Sequence, residues 1–256
     1  MIDLHCHILP GLDDGAADDT ETLKMAKELL AEGVDTVVAT PHINGVYGPD
    51  VAAIQWEVEH CRDIFARHGL PLRLLPGGEI AVSGDTLALW RRGALPSLGG
   101  SQALLLELPP LFLSEGIRRL IEECSTMEIS VVIAHPERNP TLRRAPQLAA
   151  TLRHAGALFQ LTASSLDGQF GQAVQDFAES LLQQEMVEYV ASDLHPGRRA
   201  GLKKAAKRIK KLCGAEMVDK LLRKNPAALL TSQVSIAPQA IAPNQRHDGC
   251  HDVQDA

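Results

Sequence analysis

The feature that most restricts what this chain can fold into is an alternation: short apolar or β-branched runs, each followed by an amphipathic helical stretch, occur seven times. That alternation is the mark of repeated βα units and of an α/β fold built on a largely parallel sheet. The runs are Met1 to His5, Thr36 to Thr40, Arg73 to Gly77, Ala103 to Leu108, Ser130 to Ala134, Ala157 to Leu161 and Glu188 to Ala191. Between the first two, Leu23, Ala26 and Leu30 keep helical spacing and Gly33 supplies a C-terminal stop. Nothing between the runs is long enough to make a second domain, so 1–231 reads as one unit, with Asn225-Pro226 opening its last helix. Residues 232–256, rich in small and polar side chains, have little apolar periodicity to offset the entropy of ordering and read as a disordered tail.

Composition excludes several functions. A formal net charge of -7 argues against a nucleic-acid binder. Eight basic residues do gather between Arg198 and Lys211, but Leu202, Ala205, Ala206, Ile209 and Leu212 make that run an amphipathic helix with a solvated face. Cys6, Cys61, Cys124, Cys213 and Cys250 form an odd number without CxxC spacing, and the start lacks the regions of a signal peptide, so a cytoplasmic location is expected. The most apolar stretch, Ala103 to Leu113, is too short to cross a bilayer and contains Glu107, Pro109 and Pro110, so no membrane insertion is expected.

The chemistry-bearing residues fall where the strands end. His5 and His7, two apart in an extended strand, face the same side while Cys6 faces away. His42 follows the second run, Glu79 the third, Glu107 closes the fourth, His135 the fifth, and Asp193 with His195 the seventh. In a parallel barrel the carboxyl ends of the strands converge on one mouth. Imidazoles and carboxylates crowded there repel and desolvate one another unless cations neutralise them, and mixed N/O ligation suits zinc, manganese or iron. Two or three divalent ions are implied, and metals about 3.5–4 Å apart acidify water and clamp phosphate.

His5-Cys6-His7, Asp13-Asp14-Gly15, Thr40-Pro41-His42, Gly78-Glu79, His135-Pro136-Glu137-Arg138 and Ser192-Asp193-Leu194-His195 together resemble the polymerase and histidinol phosphatase (PHP) superfamily over roughly residues 1 to 230. The Leu-Asp-Asp-Gly turn, a Glu at position 107 and the His-Pro-Glu-Arg motif resemble its bacterial manganese-dependent protein tyrosine phosphatases of the CpsB/YwqE type. The resemblance implies a distorted (β/α)7 TIM-like barrel with three metal positions. The first would take His5, His7, Glu79 and Asp193, the second Glu79, Glu107 and His135, and the third Asp14, His42 and His195. It favours Asp14 over Asp13 as the ligand. It also implies phosphate-binding arginines, Arg138 and either Arg198 or Arg199, and manganese as the metal. The implied reaction is hydrolysis of phosphotyrosine on protein by metal-activated water. The implied partner is the tyrosine-rich tail of a bacterial kinase controlling capsule or exopolysaccharide synthesis. A small-molecule phosphatase such as a histidinol-phosphate phosphatase, a PHP nuclease and a non-catalytic scaffold are the alternatives.

Three other motifs compete for attention. His60 to Arg67 contains the Cys-x5-Arg spacing of cysteine-based tyrosine phosphatases. A phosphate-cradling loop needs small residues, however, and Ile54, Val58, Cys61, Ile64 and Phe65 keep helical spacing, which makes Cys61 a core residue of a covering helix. His247-Asp248-Gly249-Cys250-His251 allows adventitious metal binding only. Pro109-Pro110 and the segment Gly45 to Asp50, with Tyr47, lie beyond strand ends and read as loops near the entrance.

Overall fold

The computed structural model describes residues 1–231. The tail at 232–256, with its His-Asp-Gly-Cys-His tract, lies outside the described residues. Nine strands arise from the seven expected runs: β1 (Ile2–Cys6), β2 (Thr36–Ala39), β3 (His42–Ile43), β4 (Arg73–Pro76), β5 (Glu79–Ala81), β6 (Ala103–Glu107), β7 (Ser130–Ala134), β8 (Leu158–Thr162) and β9 (Tyr189–Ala191). All pair in parallel, in a sheet of order β1-β2-β4 and another of order β3-β5-β6-β7-β8-β9.

The two additional strands come from breaks that the expected runs did not extend across. Pro41 has no N–H with which to continue the β2 ladder. After it the chain resumes as β3, whose His42 pairs directly with Glu79 of β5. The third run breaks at Gly77-Gly78. A Cβ on Gly77 would lie 2.7 Å from Val38 Cγ1, and one on Gly78 2.7 Å from Pro96 Cγ. Only glycine lets the backbone step from one sheet to the other at that distance. The step matters for function because it turns Glu79 inward as a buried residue.

The outer strands are tied at their carboxyl ends. Asp193 N donates to His5 O at 2.8 Å and His7 N donates to Leu194 O at 3.1 Å. The buried Asp3 carboxylate accepts from Ser192 N and Ser192 Oγ across the same gap. The β1–β2 register shifts between Asp3 and Cys6, an irregularity that re-aims side chains locally. Leu4 can therefore join the inner apolar layer while His5 and His7 converge beyond it and Cys6 packs outward.

Alternation along the strands builds two apolar layers. Leu4, Val38, Leu75, Leu105, Val132 and Tyr189 pack with Leu229 from the helix Asn225–Thr231. Val37, Leu74, Leu104, Leu106, Ile133 and Phe159 belong to the layer under the helices. Strands buried on both faces need apolar side chains at nearly every position, which explains the unbroken runs. Each fully buried Leu or Phe contributes about 1.5–3 kcal/mol. This stiff base supports a polar rim that is costly by itself.

The covering helices follow their sequence signals. Asp18 caps Asp19–Glu32 by accepting from Thr20 N and Glu21 N, and Gly33 ends it at φ 86°. Val51–Arg67 buries Ile54, Val58, Cys61, Ile64 and Phe65. Leu202–Cys213 buries Leu202, Ala205 and Ile209 and exposes Lys203, Lys204, Lys207, Lys210 and Lys211, the solvated face expected of the basic run. No helix among the described residues is long and apolar enough to cross a membrane.

Candidate metal centre

All nine candidate ligands lie in one cluster at the carboxyl ends of the strands. His7, Asp14, His42 and His195 have ligand atoms within 4.8 Å of one another, as do His5, His7 and Asp193, then His5, Glu79 and His135, and finally His42, Glu79 and Glu107. Glu79 is the junction: Oε2 is 3.3 Å from His5 Nε2 and 3.4 Å from His7 Nε2, and Oε1 is 2.7 Å from His135 Nε2. His135 Nε2 also lies 4.0 Å from Glu107 Oε1.

Hydrogen bonds behind the cluster fix which histidine nitrogens face inward. His5 Nδ1–H donates to Gln160 Oε1 at 2.8 Å, and Gln160 is held in that orientation because its Nε2 donates to Leu161 O at 2.7 Å. His7 Nδ1–H donates to Asp13 Oδ2 at 2.6 Å, and the same oxygen accepts from His42 N at 2.9 Å. A carbonyl or carboxylate oxygen can only accept, so in its neutral form each of these histidines carries its lone pair on Nε2. The adjacent Asp13 and Asp14 thereby divide their work: Asp13 orients His7, while Asp14 Oδ1 lies 3.5 Å from both His42 Nε2 and His195 Nε2.

This arrangement fits metal ions. His5 Nε2 and His7 Nε2 face each other at 3.1 Å, with Asp193 Oδ1 3.5 Å from each. Glu79 Oε2, fully buried, lies 2.9 Å from His42 Nδ1 as well as 3.3 and 3.4 Å from His5 and His7 Nε2, so three imidazoles crowd one carboxylate oxygen. Imidazole nitrogens converging on a shared buried carboxylate oxygen are costly once free of protons and are relieved by a divalent cation.

The electrostatics agree. Burial pushes the His5 and His7 imidazoles down, but Glu79 and Asp193 near His5, and Asp13, Asp193 and Glu79 at His7, outweigh it and leave both above the ordinary value. Burial pushes Glu79 and Asp193 up, yet the histidines around them win and hold both carboxyls below theirs. His195 is driven down to about 4 by burial and by the nearby His7.

Backbone strain collects in the same place. His135 at φ 33° and Asp193 at φ 50° are two of the four non-glycine residues in the left-handed region among the described residues. Each such residue costs roughly 1–3 kcal/mol and persists where its surroundings over-determine it. For His135 those surroundings include the buried Glu137, whose Oε1 accepts from Thr162 N at 2.9 Å and Ser165 Oγ at 2.6 Å.

The arginines differ in position. Arg138 Nη1 donates to Asp193 Oδ2. Arg198 Nη1 lies 4.0 Å from the same oxygen and 3.4 Å from His195 Nδ1. Arg199 is exposed, and its carbonyl accepts from Ser164 Oγ at 3.2 Å. A cleft of about 200 Å³ opens beside the cluster, lined by Glu107, Leu108, Pro110, His135, Arg138 and Asn139. Tyr47 stacks on His42 with ring centroids 6.2 Å apart.

Sequence reasoning passed over Asp3, Asp13 as an orienting group, Glu137 and Gln160. Asp3 and Gln160 did leave a trace: each is a polar residue flanked on both sides by apolar ones within a strand, a placement that demands a buried partner.

Comparisons with known proteins converge on one group. The family model described as "Capsular polysaccharide synthesis, CpsB/CapC" matches residues 1–231. The tyrosine-protein phosphatase YwqE of Bacillus subtilis is 36% identical over 196 residues, covering 76% of this chain and 77% of that protein. The tyrosine-protein phosphatase CpsB of Streptococcus pneumoniae is 26% identical over 242 residues, covering 91% and 100%. A crystal structure from a study of YwqE and CpsB as metal-dependent tyrosine phosphatases superposes with a TM-score of 0.88 at 34% identity, covering 91% of this chain and 96% of that one. A lactonase from Listeria monocytogenes shares the fold alone, with a TM-score of 0.56 at 12% identity over 91% of this chain and 95% of its own. By its family match and its relatives alike, this chain belongs to the CpsB/CapC family of capsular polysaccharide synthesis proteins.

Proposed function

We propose that this chain is a metal-dependent tyrosine-protein phosphatase, acting in a polymer-synthesis setting like that of its capsule-synthesis relatives. The observation that carries the metal reading is the pair of imidazole nitrogens 3.1 Å apart beside the buried Glu79 oxygen that three imidazoles share. His5, His7, Glu79 and Asp193 would hold one ion, Glu79, Glu107 and His135 a second, and Asp14, His42 and His195 a third, with manganese the ion we favour. Bound there, divalent ions supply positive charge for phosphate and lower the pKa of water towards neutrality. The strands, in this reading, close as a distorted seven-unit barrel around the centre.

The chain's own residues would do the rest. Asp13 and Gln160 hold His7 and His5 in the tautomer that presents Nε2. Arg138 and Arg198 flank Asp193 with planar forks whose donors suit phosphate oxygens, and they would stabilise charge developing on the transferring group. With water as the attacking group and phenolate as the leaving group, this hydrolysis would need no protein nucleophile. We infer a phosphotyrosine protein substrate, with the tyrosine-rich tail of a bacterial kinase as its source, and a cytoplasmic place of action.

The test is turnover of p-nitrophenyl phosphate, a phosphotyrosine peptide and histidinol phosphate with manganese, zinc or chelator. Rapid hydrolysis of the peptide, abolished by chelator, is expected. An untouched peptide beside rapid histidinol phosphate turnover would overturn the substrate class.

A further inference from the structure

The guanidinium carbon of Arg138 lies over the ring of Phe170, 4.6 Å from its centroid. The ring arrives from a different βα connection, the segment that follows the short helix Ala163–Asp167 after β8. Both residues are half-buried at the rim. A cation held over an aromatic face is attracted by the ring's quadrupole. This contact uses no N–H, so it leaves the donors of Arg138 available for Asp193 and for phosphate.

The two partners are fastened together at their bases. Ser165 Oγ donates to Glu137 Oε1 at 2.6 Å, joining the Phe170 segment to the residue that precedes Arg138. Gly168 N donates to Ser165 O at 3.3 Å and Gly171 N to Gly168 O at 3.0 Å, which folds the segment around the ring. On the other side, Arg143 Nη1 donates to the carbonyls of Glu137 and Arg138 at 3.0 and 2.5 Å. The backbone beneath the stack is thus set on both sides. Asp193 anchors the guanidinium at Nη1 and Phe170 covers its face, so the two contacts together fix where the remaining donors point.

Building on the phosphatase reading, we propose that Phe170 is a positioning residue for phosphate: it keeps the Arg138 fork at the mouth, edge outward, where an incoming phosphoryl group meets it. Removing the ring frees the fork to swing about its Asp193 contact, so its remaining donors lose their aim and phosphate binding weakens although no group that touches phosphate has been removed.

The test uses the full metal-loaded chain and inorganic phosphate as probe. Phe170→Leu and Phe170→Met, which keep bulk without the ring, should each weaken phosphate binding by calorimetry about 2- to 30-fold, and KM for p-nitrophenyl phosphate should rise in parallel. Phe170→Tyr, which keeps the ring, should retain wild-type binding. In an Arg138→Ala background neither ring-deleting change should weaken binding further, because no fork remains to be held. Unchanged phosphate binding in Phe170→Leu and Phe170→Met, or an equal loss with and without Arg138, would overturn the proposal. Wild-type protein that binds phosphate yet leaves phosphotyrosine intact would sink the phosphatase reading instead, with the Phe170 result still standing on binding alone.

Discussion

Two regions of this molecule carry a motif associated with phosphotyrosine hydrolysis, and they resolve in opposite ways. In the helix Val51–Arg67, Cys61 and Arg67 have Cys-x5-Arg spacing, but Cys61 is fully buried against Ile64 and Phe65 and its neighbours along the chain are helical. Burial first, and then the acidic Glu57 and Asp19, push its thiol up to about 12, the reverse of what a nucleophilic cysteine needs. Around β1 a buried pair is instead surrounded by groups that sharpen it: Gln160 and Asp13 orient His5 and His7, and Glu79 and Asp193 close the cluster. Burial makes a lone thiol inert, whereas it makes a set of converging ligands demand a cation. The lesson is that spacing nominates a motif, and what its side chains face decides whether it works.

The largest effect expected on this contrast comes from Glu79→Ala, which removes the carboxylate shared among His5, His7, His42 and His135. Phosphatase activity should fall by more than the roughly 100-fold ceiling for an outer-shell partner, and bound metal should fall with it. Gln160→Leu comes next: it keeps the volume but lets His5 turn, and metal affinity should drop about 10- to 100-fold. Unaltered affinity would mean that the His5 orientation is set by packing alone.

A third effect follows from charge. His5, His7 and His42 all sit above the ordinary imidazole value of 6.5, because the neighbouring carboxylates outweigh burial. Their nitrogens must be free of protons to ligate, so metal uptake should release protons and affinity should climb as pH rises through and above that value. His195, at about 4, adds nothing to this release near neutrality. Calorimetry in buffers of different ionisation enthalpy reads the protons directly, and a release of zero would contradict the sign. The smallest effect belongs to Cys61→Ser, which should lower stability by about 1–3 kcal/mol through a buried hydroxyl while activity of the folded protein stays unchanged. Loss of turnover in folded Cys61→Ser protein would reverse the comparison.

Much of this was legible in the chain, for identifiable reasons. Strands buried on both faces must be apolar throughout, so β6 and β7 could be placed within a residue of their ends. Ligands at strand ends, such as Glu107 and His135, inherit that precision. The short strands β3 and β5 escaped because two or three residues carry no periodicity, and only the sheet-to-sheet step at Gly77-Gly78 gives them a partner. The Arg138–Phe170 stack escaped because its members are far apart in sequence and meet through two loops, a contact no local pattern encodes. Asp13 was masked by its neighbour Asp14, since only three-dimensional geometry separates the residue that orients a histidine from the one beside a ligand site.

The most direct measurement is the metal content and phosphotyrosine-peptide turnover of His7→Ala beside wild type, both loaded with manganese and freed of excess. Because His7 belongs to two of the ligand groups, its loss should strip bound metal and turnover together while the fold persists by circular dichroism. A folded His7→Ala protein that keeps its metal and full turnover would contradict the histidine-centred chemistry proposed for this family member.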